Sequence, residues 1–344
     1  MHSYTPTVRY VIYGAGAIGG TTGAKLAQHG REVVLIARGK HLEACQADGL
    51  TLRTPEETIT QRIPAFGHPS DIDWRQDDVA ILAMKSQDTA AALVALRDAA
   101  GDVPVVCAQN GVANERMAAR RFSRVYGMVV WMPATHLQPG EVIAHSSPVT
   151  GTLDAGRYPE GADDLIEAVA ADLRESAFES RPNERIMRLK YAKLLSNLLN
   201  IVQALCSGSA GDIVRAVREE AAAVYAAAGI DYAASDELAG RTSAITVKPV
   251  PGFEERLGGS TWQSLSRGGS LETDYLNGEI ALLGALHGVP TPVNRMLQQA
   301  AAEAARTRAE PGSYTAEQLL ARVEEPGAGS KTALEHGTWN LEHG

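Results

Sequence analysis

The sequence predicts an α/β protein built in two parts: an N-terminal Rossmann-type parallel sheet with an antiparallel extension, and an all-helical C-terminal domain. Three observations carry this reading. A β-branched run, Val8-Arg9-Tyr10-Val11-Ile12, feeds a G-x-G-x-x-G turn, then a helical stretch and a second apolar run, Val33-Val34-Leu35-Ile36. Strand-like runs alternate with helical patterns as far as residue 180 and almost vanish beyond it. At 344 residues the chain also exceeds the size at which one core keeps growing. The expected division is a dinucleotide-binding domain over 1–180, a helical substrate domain over 181–322 and a polar tail over 323–344.

The glycines of the first turn, Gly14, Gly16 and Gly19, have separate jobs. Gly14 permits the tight turn, Gly16 lets a pyrophosphate approach the backbone, and Gly19 lets the helix pack on its strand. Ala15, Ala17 and Ile18 complete the loop, and the anion is expected on the helix N-terminus, where unpaired N–H groups and the helix dipole favour negative charge. A glycine-rich turn alone is a weak signal. Here it has its strand, its helix and its second strand within about 30 residues, as the motif requires. The tip of that second strand carries Arg38, with Lys40 after it, where an NAD site places a carboxylate. A guanidinium suits a 2′-phosphate, so the expected cofactor is NADP(H); a solvated basic loop is the plainer reading.

Composition narrows the partners. Hydrophobic content of 44%, charged content of 21% and a net charge of −9 describe an ordinary acidic enzyme. The pI near 5.5 argues against nucleic acid or an anionic membrane as partner, since both need a basic field. Cys45, Cys107 and Cys206 are widely spaced and odd in number, which fits reduced thiols better than a disulfide framework. No metal-ligand spacing is found, so no metal is expected. With no apolar leader and no long apolar run, a cytoplasmic protein is expected.

Further along, Asp78 to Lys85 reads as a buried parallel strand with a helix over Asp88 to Ala99, and Val103 to Gly111 repeats the plan. Ligands sit beyond the carboxyl ends of such strands, which puts Lys85, Gln109, Asn110 and Gly111 at the cleft. Lys85 reads equally well as a surface lysine, and Asn110-Gly111 as a plain turn. The runs Tyr126 to Trp131 and Glu141 to Ala144, separated by Pro139-Gly140, predict strands added at the sheet edge as an antiparallel hairpin. A helix is expected over Gly161 to Ser176.

The helical part opens with Glu184 to Leu205, read as one helix on which Lys193, Ser196, Asn197 and Asn200 share a face. A polar stripe on an otherwise apolar helix is either paired internally or turned to a wet cleft; an ordinary solvent face is the alternative. Lys190, three residues before Lys193, lies on nearly the same face and competes with it. Beyond lie an alanine-rich helix over Ala210 to Ala228, suited to a homodimer face or to an internal core, and a helix opening at Ser260-Thr261-Trp262-Gln263 with Ser260 as its cap. Glu272 leads into a helix over Ile280 to His287, where an acid in the first turn would complement the dipole.

Gly14-Ala15-Gly16-Ala17-Ile18-Gly19, Arg38, Asn110-Gly111, Lys193-Leu194 with Asn197, Ser260-Thr261-Trp262-Gln263 and Glu272-Thr273-Asp274-Tyr275-Leu276-Asn277-Gly278 come in the order and spacing of the ketopantoate reductase family, which this chain resembles over residues 8 to 305. The resemblance implies Lys193 as general acid, Asn197 as partner of the substrate hydroxyl, and Ser260 as holder of the substrate carboxylate. It implies Glu272 near the nicotinamide ribose and the catalytic lysine, and Asn110 with Lys85 at the nicotinamide end of the cleft. The chain departs from the family in three places: Ile201 and Leu257 where pantoate-forming members commonly have asparagine, and Ser264 where Asp is usual. The expected activity is NADPH-dependent reduction of a small 2-oxo acid, with 2-dehydropantoate the first candidate. The alternatives are a related 2-hydroxy-acid or opine-type dehydrogenase, or a dinucleotide sensor without turnover.

Overall fold

The computed structural model describes residues 8–253 and 258–324, apart from the side chains of Ser260 and Glu324. The nucleotide part runs β1 (Arg9–Tyr13), α1 (Ala17–Gln28), β2 (Glu32–Ile36), α2 (Gly39–Asp48), β3 (Leu50–Arg53), β4 (Thr58–Gln61), β5 (Ala65–Phe66), β6 (Asp78–Leu82), α3 (Thr89–Ala100), β7 (Val105–Cys107), α4 (Ala113–Ala119), β8 (Val125–Trp131), β9 (Ala134–Thr135), β10 (Glu141–Ala144), β11 (Thr152–Arg157) and α5 (Asp164–Glu175). The helical part runs α6 (Ile186–Asn197), α7 (Leu199–Leu205), α8 (Gly211–Ala228), α9 (Ser235–Thr242), α10 (Ser260–Ser266), α11 (Asn277–His287), α12 (Pro292–Thr307) and α13 (Ala316–Glu324).

The main sheet has the order β11-β8-β7-β6-β1-β2-β5. Every pairing in it is parallel except that of the edge strand β11 with β8. The chain reverses direction across the sheet between β1 and β6. A crevice therefore opens beyond their carboxyl ends, between the glycine turn and the Ala83 to Lys85 segment. The strands are buried on both faces, which is why they read as unbroken apolar runs.

A second sheet, β4-β3-β10-β9, corrects the expected edge hairpin. Glu141 to Ala144 does form a strand, but it pairs in parallel with β3 and antiparallel with β9, away from the main sheet. This small sheet covers the outer face of α1, which is therefore buried on two sides. A methyl on Gly20 would meet Val142 Cγ1 at 2.8 Å, and Thr21, Thr22 and Ala24 are buried as well. Small residues in α1 are the local consequence, because two layers close on one helix.

The helical part has its own core, with Leu194, Leu198, Ile201, Val202, Val224, Ile280 and Leu297 at its centre. The single helix expected over Glu184 to Leu205 is divided at Leu198 into α6 and α7. Asn277 Nδ2 donates to the carbonyl of Leu198 at 3.2 Å, occupying the acceptor that the break exposes. Gly229 and Gly288 end α8 and α11 in the left-handed conformation, as helix-stopping glycines do. α10 is capped by Gly259, and Ser260 is its first residue rather than its cap. α13 runs into the first residues of the stretch read as a tail. No described helix is long and apolar enough to cross a membrane.

Candidate active site

The glycine turn is built as its spacing requires. Gly14 stands at φ +103°, and a side chain there would sit 2.7 Å from Met84 N, on the neighbouring strand end. A methyl on Gly19 would lie 2.2 Å from Gly14 O and 2.8 Å from Ile12 Cγ2, so both glycines are demanded by the protein's own packing. Gly16 is different: it caps α1 in an extended conformation, and nothing lies within 4 Å of the place a methyl would take. No side chain caps that helix end and no acid stands in its first turn. An open helix N-terminus beside an unneeded glycine is what a pyrophosphate would fill. Ala15 is buried, and its carbonyl accepts from His41 Nε2 at 2.8 Å, whereas Ala17 and Ile18 keep some exposure.

Arg38 caps α2 at the strand tip, with its side chain 85% exposed and Nη2 3.0 Å from Asp88 Oδ2. Lys85 reaches across to the helical part, donating to Ser264 Oγ at 3.0 Å and to the carbonyl of Ser270 at 2.6 Å. Its pKa is lowered by burial and by the charges of Arg267 and Arg38, against the pull of Glu272 and Asp88. Ser264, which stands where the family usually has Asp, thus meets Lys85 as a neutral acceptor.

Asn110 is half-buried just past β7, and its side-chain amide has no described partner. Gly111 follows at φ +78°, where a side chain would lie 2.9 Å from the carbonyl of Tyr275. Gln109 turns away from the cleft to which the strand-end rule assigns it. It is buried and donates to Thr89 Oγ1 at 2.6 Å. From there a directed chain of hydrogen bonds runs from Thr89 Oγ1 to Asn114 Oδ1 (2.8 Å), from Asn114 Nδ2 to Ser86 Oγ (3.1 Å) and from Ser86 Oγ to Glu272 Oε1 (3.1 Å). The Ser86 N–H donates to the same oxygen at 3.0 Å. Glu272 is therefore no first-turn helix acid: it precedes a short 3-10 turn and is held from the opposite domain. Ser86, Thr89 and Asn114 were not foreseen, because short polar residues after a strand carry no periodic signal.

On the helical side, Lys193 donates to the carbonyl of Val130, at the end of β8. The residue is half-buried, and its ammonium is surrounded by protein. Loss of water there, with the charge of Lys190 nearby, lowers its pKa to about 7 against the opposing pull of Glu272. Asn197 lies one turn on, and its Oδ1 is buried without a described partner. Asn200 is half-buried and Ser196 is exposed, so the break at Leu198 splits the expected stripe. Ile201 packs in the helical core at 2% exposure. The side chain of Ser260 and all of Leu257 lie outside the described residues.

The competing lysine, Lys190, is buried and bonded to Glu115 and to the carbonyls of Cys107 and Gln109. A cavity of about 470 Å³ also opens at the other ends of the strands, lined by Arg9, Arg31 and Arg75. Those three arginines are spent on Asp78, Asp172 and Glu32; Arg62 also lines the cavity, which holds none of the groups above.

A Rossmann-type crevice closed by a helical domain, with an acidic lysine at the junction, defines a dinucleotide-dependent oxidoreductase. Family models agree: the chain matches "Ketopantoate reductase PanE/ApbA" over residues 10–160 and its C-terminal counterpart over 185–305. It is 30% identical over 302 residues to the 2-dehydropantoate 2-reductase of Archaeoglobus fulgidus, covering 84% of this chain and 95% of that one. To the Pyrococcus horikoshii enzyme of the same name it is 28% identical over 300 residues, with the same coverage. A crystal structure of a PanE/ApbA family ketopantoate reductase from Ralstonia eutropha superposes with a TM-score of 0.73 at 30% identity, over 88% of this chain and 99% of that one. D-mandelate dehydrogenase, solved with NADH and anilino(oxo)acetate, shares the fold at a TM-score of 0.74 and 23% identity over 88% of this chain and 99% of that one. The chain belongs to the ketopantoate reductase family, an oxidoreductase acting on CH–OH groups.

Proposed function

We propose that the protein reduces a 2-oxo acid to its 2-hydroxy acid with NADPH, and that 2-dehydropantoate, the substrate in the names of its relatives, is the first substrate to assign. The observation that supports this most is Lys193: an ammonium with a pKa of about 7, one described acceptor and donors to spare, one turn from the unpartnered Oδ1 of Asn197.

Gly14, Ala15, Gly16, Ala17, Ile18 and Gly19 would hold the pyrophosphate, Arg38 the 2′-phosphate, and Lys85, Asn110 and Glu272 the nicotinamide end. Hydride is what the nicotinamide supplies when bound. Everything else falls to the chain. Reduction of a ketone leaves an alkoxide too basic to persist in a closed site, so Lys193 Nζ–H passes its proton to that oxygen. Asn197 Oδ1 accepts from a substrate hydroxyl and fixes which way the carbonyl faces, while Ser260 takes the carboxylate. Glu272, anchored by Ser86, places a negative charge toward Lys193 and keeps part of it protonated near neutral pH. The working division of the chain is a nucleotide domain to residue 180, a helical substrate domain from 181 to 322 and a tail after it.

One observation favours a second reading, a more apolar 2-oxo acid. Ile201 stands where pantoate-forming members commonly have asparagine, and it is committed to the core. A pocket short of one polar partner loses discrimination against apolar substrates, because strong rejection of them comes from polar groups left unpaired. A panel of 2-oxo acids assayed by loss of NADPH absorbance decides between them. If 2-dehydropantoate is not turned over and a bulky apolar 2-oxo acid is, the first assignment fails and the second stands.

A further inference from the structure

Two lysines one turn apart on α6 are treated in opposite ways by the fold. Lys190 is 3% exposed, and its ammonium donates to the carboxylate of Glu115, to the carbonyl of Gln109 at 3.1 Å and to that of Cys107 at 3.3 Å. An ammonium has three N–H donors, so none is left for a substrate. Lys193 has a single described acceptor and keeps two donors. Room for the Lys190 stem is made by Gly127 in β8, where a methyl would come within 3.3 Å of Lys190 Cδ and 3.4 Å of Glu115 Oε1.

Stability alone does not explain such a pair. Stripping both charges of water costs about as much as their attraction returns, and apolar residues of the same volume often serve better. What the pair provides is location. Cys107 ends β7, and Gln109 immediately precedes Asn110, which is half-buried just past the strand end. One buried ammonium thus ties the strand end that presents Asn110 to the helix turn that presents Lys193.

We propose that Lys190 is a positioning residue for the reaction: together with Glu115 it clamps α6 to the end of β7 and so sets Lys193 against Asn110. This rests on the reading of Lys193 as proton donor. A second consequence follows from charge, because a fixed cation beside Lys193 disfavours its protonated form. Other charges on the elements packed against α6 are taken up elsewhere: Asp154 of β11 by Arg241, Arg157 of β11 by Asp163, and Glu237 of α9 by Arg188. Besides burial, the pKa of Lys193 is lowered by Lys190 and raised by Glu272, and Glu115, paired with Lys190, offsets part of that cation's field.

The test compares Lys190→Met, Lys190→Arg and the double variant Lys190→Met/Glu115→Gln, which leaves no charge stranded in the core. The readouts are circular dichroism, NADPH affinity by fluorescence titration, and the pH profile of kcat/KM for the 2-oxo acid at saturating NADPH. In Lys190→Met the basic limb is expected to move up, because the cation goes while the Glu115 carboxylate stays; in the double variant both charges go together and the limb is expected to hold. The plateau of the double variant is expected to fall at least about ten-fold, since small misplacements of reacting groups cost that much or more, with NADPH affinity within about two-fold of the parent. Lys190→Arg keeps the charge and should hold the limb in place. A plateau that stays within about two-fold of the parent in the folded double variant overturns the proposal, as does a folded Lys190→Arg variant that recovers no turnover relative to Lys190→Met. If Lys190→Met does not fold, the double variant decides alone. Lys193→Met separates the two levels of the argument: turnover retained there refutes the proton-donor reading itself. Turnover lost there, with an undiminished plateau in the folded double variant, refutes only the role of Lys190.

Discussion

Replacing Glu272 by Gln should pull the working range of the enzyme toward acid. The oxygen that accepts from the Ser86 N–H at 3.0 Å and from its hydroxyl at 3.1 Å is equally present in an amide, so the local geometry survives and only the charge is lost. That charge is the one that favours the protonated form of Lys193, whose pKa is about 7. A donor with that pKa is protonated to about 0.9 at pH 6, about 0.5 at pH 7 and about 0.09 at pH 8, so kcat/KM of the parent should fall about ten-fold between pH 6 and pH 8. Removing an attractive charge at close range lowers such a pKa by roughly one unit. At pH 7 the protonated fraction then drops from about a half to about a tenth, a loss of about five-fold, while the rate at pH 5 scarcely changes. The assay is NADPH absorbance at saturating cofactor and subsaturating 2-oxo acid, so that the profile reports the enzyme before that acid binds. A limb that does not move, or a loss of equal size at every pH, would refute the electrostatic role given to Glu272.

Three further outcomes are expected. Arg38→Ala should raise the NADPH Michaelis constant about ten-fold and leave NADH almost unaffected; at 85% exposure the lost bond belongs at the low end of charge-assisted values, about 1.5 kcal/mol, and equal losses with both cofactors would show that Arg38 does not read the phosphate. Gly16→Ala should fold with less than about 1 kcal/mol of cost and yet bind NADPH at least about ten-fold more weakly, by titration, because its methyl enters space that only the ligand needs. Gly19→Ala should instead cost about 1–3 kcal/mol or more in denaturant melts, since its methyl would lie 2.2 Å from a backbone oxygen that cannot yield. Lys193→Met should abolish turnover while raising the melting temperature at pH 6. The buried ammonium holds its proton less readily in the folded chain than in the unfolded one, so stability of the parent rises between pH 7 and about 10, and the advantage of Met should shrink over the same range. A variant that melts lower than the parent at pH 6 would show that the ammonium is not desolvated.

The parts of this protein that local chemistry dictates were legible in the chain. G-x-G-x-x-G between two apolar runs has one low-strain solution, a strand, a turn and a helix, and Gly14 and Gly19 meet the backbone contacts that their spacing implies. Helix stops at Gly229 and Gly288 follow from the left-handed conformation a glycine adopts without strain. The polar positions Lys193 and Asn197 stood out because an apolar helix has few reasons to carry them.

Only the tertiary structure could decide the rest. Lys190 and Lys193 lie three residues apart, and a helical wheel places both on nearly one face. They differ because Glu115, Cys107 and Gln109, some 75 to 83 positions away in sequence, use up every donor of one and leave two free on the other. The same distance in sequence hid the second sheet, where β10 lies parallel to β3, and the grip of Ser86 on Glu272 across 186 positions. Spacing along a helix or strand reports which residues share a face. What that face meets is set by long-range packing, and the pKa of a lysine, the partner of a glutamate and the role of each are properties of that meeting.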